Sequence, residues 1–333
     1  HPNLGYEYIN RMKFLNDYQE LISFEKRLSV FLWNMSMKIN QSELNEFDIL
    51  RSNILMDSFN LLKEMSKEEW LYNIKVHFID EMGFDEGGLR NEWFTLVIQE
   101  LLNPNFGLFV LAENNTYQPN QFSGINKEHI EFFKFAGLLI ARSIIQHQCV
   151  NAHFTKSFLR QILGQKVKLK DIEDIDVNLY KSFQNILNED VEPLALNFTI
   201  DVDEYGTNKN ILLKENGDNI DVTNENKIEY VSLYTHYRLR KSIINQINAF
   251  CEGFNSLISL DEIKMFTPDE LDLIICGIPK IDINDFKKYV TFEHPYHIKH
   301  KVIIMFFHVL SKWIPDNLAK FLLFLTGSSQ VPV

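Results

Sequence analysis

The sequence has few cysteines, and their positions argue against two common kinds of cysteine-built site. Cys149, Cys251 and Cys276 are the only three in 333 residues, and no two of them are spaced as Cys-x-x-Cys. An odd number at such wide spacing implies neither a disulfide framework nor a zinc site. We therefore expect a chain from a reducing compartment, with no bound metal and no other cofactor.

The sequence also lacks a long apolar run. No stretch reaches the roughly 18 consecutive apolar residues that a membrane-spanning helix needs. His1-Pro2 does not open a signal peptide. These two absences predict a chain without a membrane span, located in the cytoplasm or the nucleus.

Basic residues are fewer than acidic ones. The chain contains 33 Lys and Arg and 45 Asp and Glu, which gives a formal net charge of −12. A surface that binds duplex nucleic acid needs clustered Lys and Arg to neutralise phosphates. The charge therefore predicts no nucleic-acid partner and favours a protein partner with a basic face. Hydrophobic residues at 45% and charged residues at 23% are ordinary for a globular protein, and the length suffices for two domains.

Apolar spacing in the first third predicts helices followed by a strand, a turn and a further helix. Between residues 6 and about 67, apolar side chains recur every three or four positions, which indicates helices. Residues 76–79 then alternate as a strand. The glycine pair 87–88 supplies a turn, and helical spacing resumes until the Asn-Pro pair at 103–104 ends the helix.

A second change of pattern predicts a small subdomain of its own. Leu179–Leu187 has helical spacing, Leu194–Ile200 alternates as a strand, and Leu212–Asp218 is typical of a strand that enters a turn. A helix and a small antiparallel sheet inserted among long helices indicate a separate subdomain.

The sequence around the glycine turn resembles that of HECT-type ubiquitin ligases. Residues 84–94, FDEGGLRNEWF, are similar to the D-x-G-G-x-x-R-E-W-F segment of that family's N-terminal lobe, and residues 103–109, NPNFGLF, to its N-P-x-x-G-L-F segment. Two such segments in order are far more specific than a lone glycine pair. Further similar segments follow the family's order and extend the resemblance over nearly the whole chain, at 51–55, 132–137, 213–220, 222–231, 246–254, 271–277 and 321–332.

The resemblance implies a fold class and a division of the chain. The expected fold is α+β, a mainly helical bilobal HECT domain with a truncated C-terminal lobe. Residues 1–163 and 240–291 would form the large helical subdomain of the N-terminal lobe. Residues 164–239 would form an inserted small α/β subdomain, 292–296 a hinge, and 297–333 the start of the C-terminal lobe.

In HECT ligases the inserted subdomain docks the ubiquitin-conjugating enzyme, in a hydrophobic groove that receives an apolar loop of the partner. By resemblance, the groove lies on a helix, on a strand and at the start of the next helix. Some of these side chains could instead form the core of a small subdomain, and the register of the strand positions is open by one or two residues. The predicted groove residues are Leu179, Ser182 and Phe183 on the first helix, Leu194 and Leu196 on the strand, and Tyr230 and Tyr234 on the second helix.

The resemblance also implies a short flexible linker. In this family the linker lets the C-terminal lobe move between the loaded conjugating enzyme and the substrate. Phe292, Glu293, His294 and Pro295 are the candidates, ahead of a helix predicted from about His297.

The activity implied is that of a ubiquitin-protein ligase. Such an enzyme accepts ubiquitin from a conjugating enzyme as a cysteine thioester and transfers it to a substrate lysine, so its partners are the conjugating enzyme, ubiquitin and a protein substrate. Cys251 lies beside Glu252, and Cys149 and Cys276 lie in apolar surroundings, so none of the three has a nucleophile's setting. The family's catalytic cysteine, in a Thr-Cys context, is expected after Val333. An alternative also stays open, a catalytically inactive module that only binds a conjugating enzyme.

Overall fold

The computed structural model describes residue 14 and residues 16–81, 87–204, 206–278 and 282–326. They divide into two compact units. Unit 1 holds the described residues up to Arg27 together with Leu101–Leu138 and His153–Leu271, and unit 2 holds those of Leu28–Glu100, Leu139–Ala152 and Asp272–Val333. The subdomain boundaries predicted from the resemblance remain a prediction.

Helices dominate the described residues, and the strands form three two-stranded sheets. The prediction of a mainly helical α+β chain is therefore confirmed. In chain order the helices and strands are α1 (Phe24–Ser36), β1 (Asn40–Ile49), α2 (Ile54–Leu62), β2 (Tyr72–Phe78), α3 (Gly88–Leu102), β3 (Phe109–Leu111), β4 (Tyr117–Pro119), α4 (His129–Ile145), α5 (Lys156–Ile162), α6 (Val177–Asn188), β5 (Thr199–Glu204), β6 (Thr207–Leu212), α7 (Lys227–Leu239), α8 (Ile244–Leu257), α9 (Leu260–Ile263), α10 (Pro268–Cys276), α11 (Ile283–Tyr289), α12 (Lys301–Leu310) and α13 (Pro315–Thr326).

Unit 2 contains a parallel strand pair that corrects one prediction. β1 pairs with β2 in parallel, and Phe47 lies opposite Val76. The prediction that residues 6 to 67 are all helical is therefore wrong for β1. Most of β1 is polar and exposed, with only Phe47 and Ile49 buried, so too few apolar residues alternate to indicate a strand. The predicted strand at 76–79 corresponds to the end of β2.

The glycine turn of unit 2 lies partly outside the described residues, since 82–86 are not among them. Gly87 has a φ of +106°, a conformation that favours glycine, and α3 begins at Gly88. Nearby, the Arg51 guanidinium donates hydrogen bonds at 2.6 Å to Glu81 and at 2.8 Å to Glu92. Arg51 belongs to one of the segments that resemble the family, and it joins the end of β2 to α3.

Two glycines in unit 1 let α4 and α8 approach at backbone distance. A Cβ added to Gly137 would fall against the Phe250 carbonyl oxygen, and a Cβ added to Gly253 would fall against the Lys134 carbonyl oxygen. Gly137, in the segment 132–137 that resembles the family, and Gly253 on the facing helix thus form a close helix contact.

The last three helices of unit 2 have a small core of their own. Phe307, Leu310 and Leu318 are buried in it, and Phe286 and Phe292 pack against it. α12 begins at Lys301, with the His300 ring accepting a hydrogen bond from the Val302 amide, a few residues later than predicted. Several apolar side chains of α12 stay exposed, namely Val302, Ile304, Met305 and Val309.

Among the helices of the described residues, none combines the length and the apolar character that crossing a bilayer requires.

Candidate docking groove

Five of the seven predicted groove residues belong to or pack against one hydrophobic cluster of unit 1, to which α6, β5, α7 and the loops around them contribute. α6 is amphipathic and is fixed at its start by Asp176, whose carboxylate accepts a hydrogen bond from the Leu179 amide at 2.8 Å. Phe183 and Ile186 are buried on its inner face. Leu179, one turn before Phe183, packs against the same cluster but stays half-buried.

The loop before α7 is held by an asparagine. The Asn226 side chain accepts a hydrogen bond from the Thr223 amide at 2.8 Å and donates one to the Asp221 carbonyl at 3.0 Å. α7 then begins at Lys227, as the placement of Tyr230 and Tyr234 on a helix predicts. Thr223 and Asn226, both in the segment 222–231 that resembles the family, thus hold the loop that leads into α7.

Four aromatic rings form a continuous series across the cluster. Phe183 meets Tyr234 with ring centroids 5.1 Å apart, Tyr234 meets Tyr230 at 6.0 Å, and Tyr230 meets Phe198 at 5.6 Å. All three contacts are edge-to-face, the arrangement that aromatic pairs prefer over a flat sandwich. The series connects α6, α7 and the residue just before β5.

Leu194 and Leu196 do not lie on a strand, which corrects that prediction. Leu194 ends a short 3₁₀ turn, Glu192–Leu194, that has Pro193 at its start, and Ala195 adopts a left-handed φ of +46°. Proline favours the first turn of a helix and a positive φ breaks an extended run. The strand therefore begins only at Thr199, although the apolar alternation begins earlier.

The predicted residues separate into a buried layer and an accessible layer. Phe183 is 1% exposed and Tyr230 is 6% exposed, so both belong to the core, which is the alternative that the sequence left open. Leu179, Leu196 and Tyr234 are half-buried and pack against that core.

Two predicted residues lie outside the cluster. Leu194 is 56% exposed and does not pack against it. Ser182 is exposed, and its hydroxyl donates to the Asn178 carbonyl at 2.9 Å.

Sequence reasoning missed two further aromatic side chains at the edge of the cluster. Tyr180 and Tyr237 are half-buried against the same core. A usable signal for Tyr237 exists in the sequence, because Tyr230, Tyr234 and Tyr237 follow the four- and three-residue spacing of one helix face.

The tyrosines of α7 present neutral phenols. Burial raises the pKa of Tyr230 to about 12, with Tyr234 adding to the effect. Burial also raises the pKa of Tyr234, where Arg238 opposes the shift and Asp176 and Asp201 reinforce it. On the half-buried ring of Tyr234, an uncharged hydroxyl can form hydrogen bonds while the ring excludes water.

Acidic residues are concentrated around this cluster. Residues 164–239 contain 15 Asp and Glu against eight Lys and Arg, so this segment carries −7 of the net charge of −12. The surroundings of the groove therefore favour a cationic partner face.

The three cysteines have the properties of inert thiols. Cys149 and Cys276 are buried, and Cys251 is partly buried. Burial raises the pKa of the Cys149 and Cys251 thiols to about 11, and it raises the pKa of Cys276 well above its usual value. Because the thiolate is the nucleophile, a raised pKa disfavours each of them for acyl transfer.

The predicted hinge residues lie in the connection between α11 and α12. Phe292 is half-buried against the small core there, whereas Glu293, His294 and Pro295 are exposed. Packing thus holds Phe292, whereas the three residues after it are exposed to solvent.

Comparison with known proteins gives two findings. A family model for the HECT-domain (ubiquitin-transferase) matches residues 95–333. Among curated proteins, E3 ubiquitin-protein ligase Nedd-4 of Drosophila melanogaster is 34% identical over 93% of the chain and 31% of its own length. E3 ubiquitin-protein ligase HACE1 of Danio rerio is 37% identical over 87% of the chain and 32% of its own length. E3 ubiquitin-protein ligase RSP5 of Emericella nidulans is 34% identical over 93% of the chain and 38% of its own length. The chain spans about a third of the length of these relatives.

Proposed function

Since this chain belongs to the HECT-domain (ubiquitin-transferase) family, we propose that it docks a ubiquitin-conjugating enzyme as part of a ubiquitin-protein ligase. The docking surface consists of Leu179, Leu196 and Tyr234, which form the accessible layer of the cluster in unit 1, together with the exposed Leu194 of the 3₁₀ turn. The observation that carries the proposal is this layer of half-buried and exposed apolar side chains on a firm aromatic base.

The buried layer has a supporting role in this proposal. Phe183 and Tyr230 hold Tyr234 between their ring edges, so that Tyr234 meets a partner in one orientation. A side chain already fixed before binding loses less entropy when the partner arrives. The acidic surroundings steer a conjugating enzyme with a basic face and select its approach.

The proposed reaction consists of two acyl transfers. Ubiquitin moves from the cysteine of the conjugating enzyme to a cysteine of the ligase, and then to the amine of a substrate lysine. We assign the nucleophile to a cysteine that follows Val333, in keeping with the family pattern and with the raised pKa values of Cys149, Cys251 and Cys276. The segment 292–296 is the proposed hinge, and residues 164–239 are the proposed docking subdomain.

Leu194→Ala tests the docking surface without disturbing the core. Because Leu194 is exposed and does not pack against the cluster, its truncation leaves the fold intact. Against the tightest binder from a panel of purified conjugating enzymes, we expect a loss of about 1–3 kcal/mol in binding free energy, the range of an interface hot spot. Isothermal titration calorimetry measures it.

The matched control is Leu21→Ala, which truncates a leucine of unit 1 that is 82% exposed and lies outside residues 164–239. It should bind like the unmodified chain. Equal affinity of the Leu194→Ala chain and the unmodified chain would refute the groove, and so would a panel in which no conjugating enzyme binds. Phe183→Ala is a poorer test, because it removes core packing as well.

A second experiment separates a ligase from an inactive binding module. The full-length parent protein is incubated with activating enzyme, conjugating enzyme, ATP and labelled ubiquitin, and a thiol-sensitive adduct is sought. A ligase forms the adduct and still forms it when Cys149, Cys251 and Cys276 are all replaced by Ala. Absence of any adduct would identify the binding module. Its loss in the folded triple variant alone would contradict the assigned nucleophile.

A further inference from the structure

Unit 1 contains a cavity that none of the predicted groove residues lines. Its volume is about 820 Å³, within the range of about 300–1,000 Å³ that is usual for small-molecule sites. The apolar part of its wall consists of Val167, Leu169, Leu187 and Val231. Ile228, which is largely exposed, lies at its rim.

Helix α7 separates the cavity from the groove. Ile228, Val231 and Thr235 follow the three- and four-residue spacing of one helix face and line the cavity. Tyr230 and Tyr234, on another face of the same helix, belong to the aromatic series of the groove. The cavity and the aromatic series thus lie on different faces of α7.

The charged side chains that line the cavity are positive, whereas residues 164–239 carry a net negative charge. Lys166 and Arg240 line it, and no Asp or Glu does, although residues 164–239 contain 15 acidic side chains. Within the described residues, neither Lys166 nor Arg240 has a carboxylate partner. The Arg240 guanidinium is held at the wall by donating to the Gln161 side-chain oxygen at 2.9 Å.

We propose that this cavity binds a small amphipathic organic anion, an aliphatic body that carries a single anionic head. The aliphatic walls accept the body and exclude water from it. Lys166 and Arg240 hold the head, since a guanidinium and an ammonium without protein carboxylates are free to form charge-assisted hydrogen bonds. A cation of the same shape lacks these contacts and faces like charge.

Decanoate is the first ligand used in the test, on the full 333-residue chain, with isothermal titration calorimetry as the readout. We expect saturable binding of one decanoate per chain. Decyltrimethylammonium, which has the same chain length and the opposite charge, should bind at least tenfold more weakly. Decyl phosphate serves as a second arm, and its affinity relative to decanoate tells a phosphate head from a carboxylate head. Equal binding of the cation and the anions would overturn the proposal.

Three variants test whether decanoate binds in the cavity: two change its lining and one is a control. The double variant Lys166→Gln with Arg240→Gln should weaken decanoate at least tenfold. Lys181→Gln, which removes an exposed positive charge of α6 away from the cavity, should leave it unchanged. Ser232→Trp places a bulky ring at an exposed position of the wall and should abolish binding without entering the core.

Decanoate binding that persists in the Ser232→Trp chain would place the ligand elsewhere and refute the site. No change in the Lys166 and Arg240 double variant would do the same, with circular dichroism showing that each variant is folded. These outcomes are independent of the docking groove, because none of the predicted groove residues lines the cavity.

Discussion

At the scale of single residues, Phe183 and Tyr230 show what a motif indicates and what it does not. The resemblance assigns both to a docking surface, whereas the structure buries both in the core of unit 1. The assignment of both residues to one site could be predicted from the sequence, because the resemblance covers both of them. Their burial could not, because it depends on how α6 packs against α7, two helices distant in the sequence.

Tyr230 predicts how alkaline pH acts on the fold. Its pKa is raised to about 12 by burial, compared with about 10 for an unfolded tyrosine. Its stabilising contribution is therefore complete below about pH 10 and is lost as the pH rises through about 12, because the unfolded chain ionises first. Tyr230→Phe removes this titration, so between pH 10 and 12 the free energy of unfolding should fall less steeply than in the unmodified chain.

Urea unfolding, followed by circular dichroism at several pH values from 9 to 12, measures this difference in slope. Tyr18→Phe is the control, since Tyr18 is exposed. Identical pH slopes for the unmodified chain and the Tyr230→Phe chain would refute the assignment.

At the scale of helices and strands, the sequence predicts elements that local spacing defines better than elements that depend on pairing with a distant strand. α6 and the placement of Tyr230 and Tyr234 on a helix were predicted correctly, because helical spacing is a local property. β1 was not predicted, because it forms only by pairing with β2 across an intervening helix. Leu194 and Leu196 were placed on a strand because apolar alternation alone does not reveal a left-handed residue such as Ala195.

The glycine crossing of α4 and α8 predicts a large effect of one methyl group. In Gly253→Ala the new Cβ would fall against the Lys134 backbone carbonyl, and backbone atoms cannot move aside as a side chain can. We expect a loss of about 3 kcal/mol or more in the free energy of unfolding, the upper end for overpacking. Thermal or urea denaturation measures it.

Gly88→Ala provides the matched comparison. A Cβ at Gly88, the first residue of α3, meets no atom within 4 Å, and alanine loses less backbone entropy on folding than glycine does. This variant should be neutral or slightly stabilised. A Gly253→Ala chain as stable as the Gly88→Ala chain would contradict the close helix contact.

At the scale of the whole molecule, the fold class could be predicted from the order of the motifs, and the exposed surface could not. Apolar spacing predicts that α12 has an apolar face, yet Phe307 and Leu310 are buried while Val302, Met305 and Val309 are exposed. Both sets are apolar, so composition cannot distinguish them. Only the packing of α11 to α13 around their small core does.

The exposed apolar side chains of α12 predict self-association of the 333-residue chain. Contiguous apolar patches of this kind mark interaction or aggregation surfaces, and near the pI of about 5.3 the protective net charge disappears. Met305, which is 67% exposed, lies about one helical turn from both Val302 and Val309 in α12. Met305→Glu should reduce association at least severalfold, as measured by sedimentation velocity across a concentration series at pH 6 and pH 8.

Leu21→Glu is the control, because it adds the same charge at an exposed leucine that belongs to unit 1 and not to α12. If it reduced association as much as Met305→Glu does, net charge rather than the α12 surface would be the cause.

Helix α7 has 13 residues and contributes both to the aromatic series and to the cavity wall. Each residue of an α-helix adds a rotation of about 100°. Deleting the single residue Ser232 would therefore turn everything after it by that angle, taking Tyr234 off the Phe183 ring and Thr235 off the cavity wall in one step. Point substitutions can alter the aromatic series or the cavity wall separately, whereas deletion of this one residue would disrupt both.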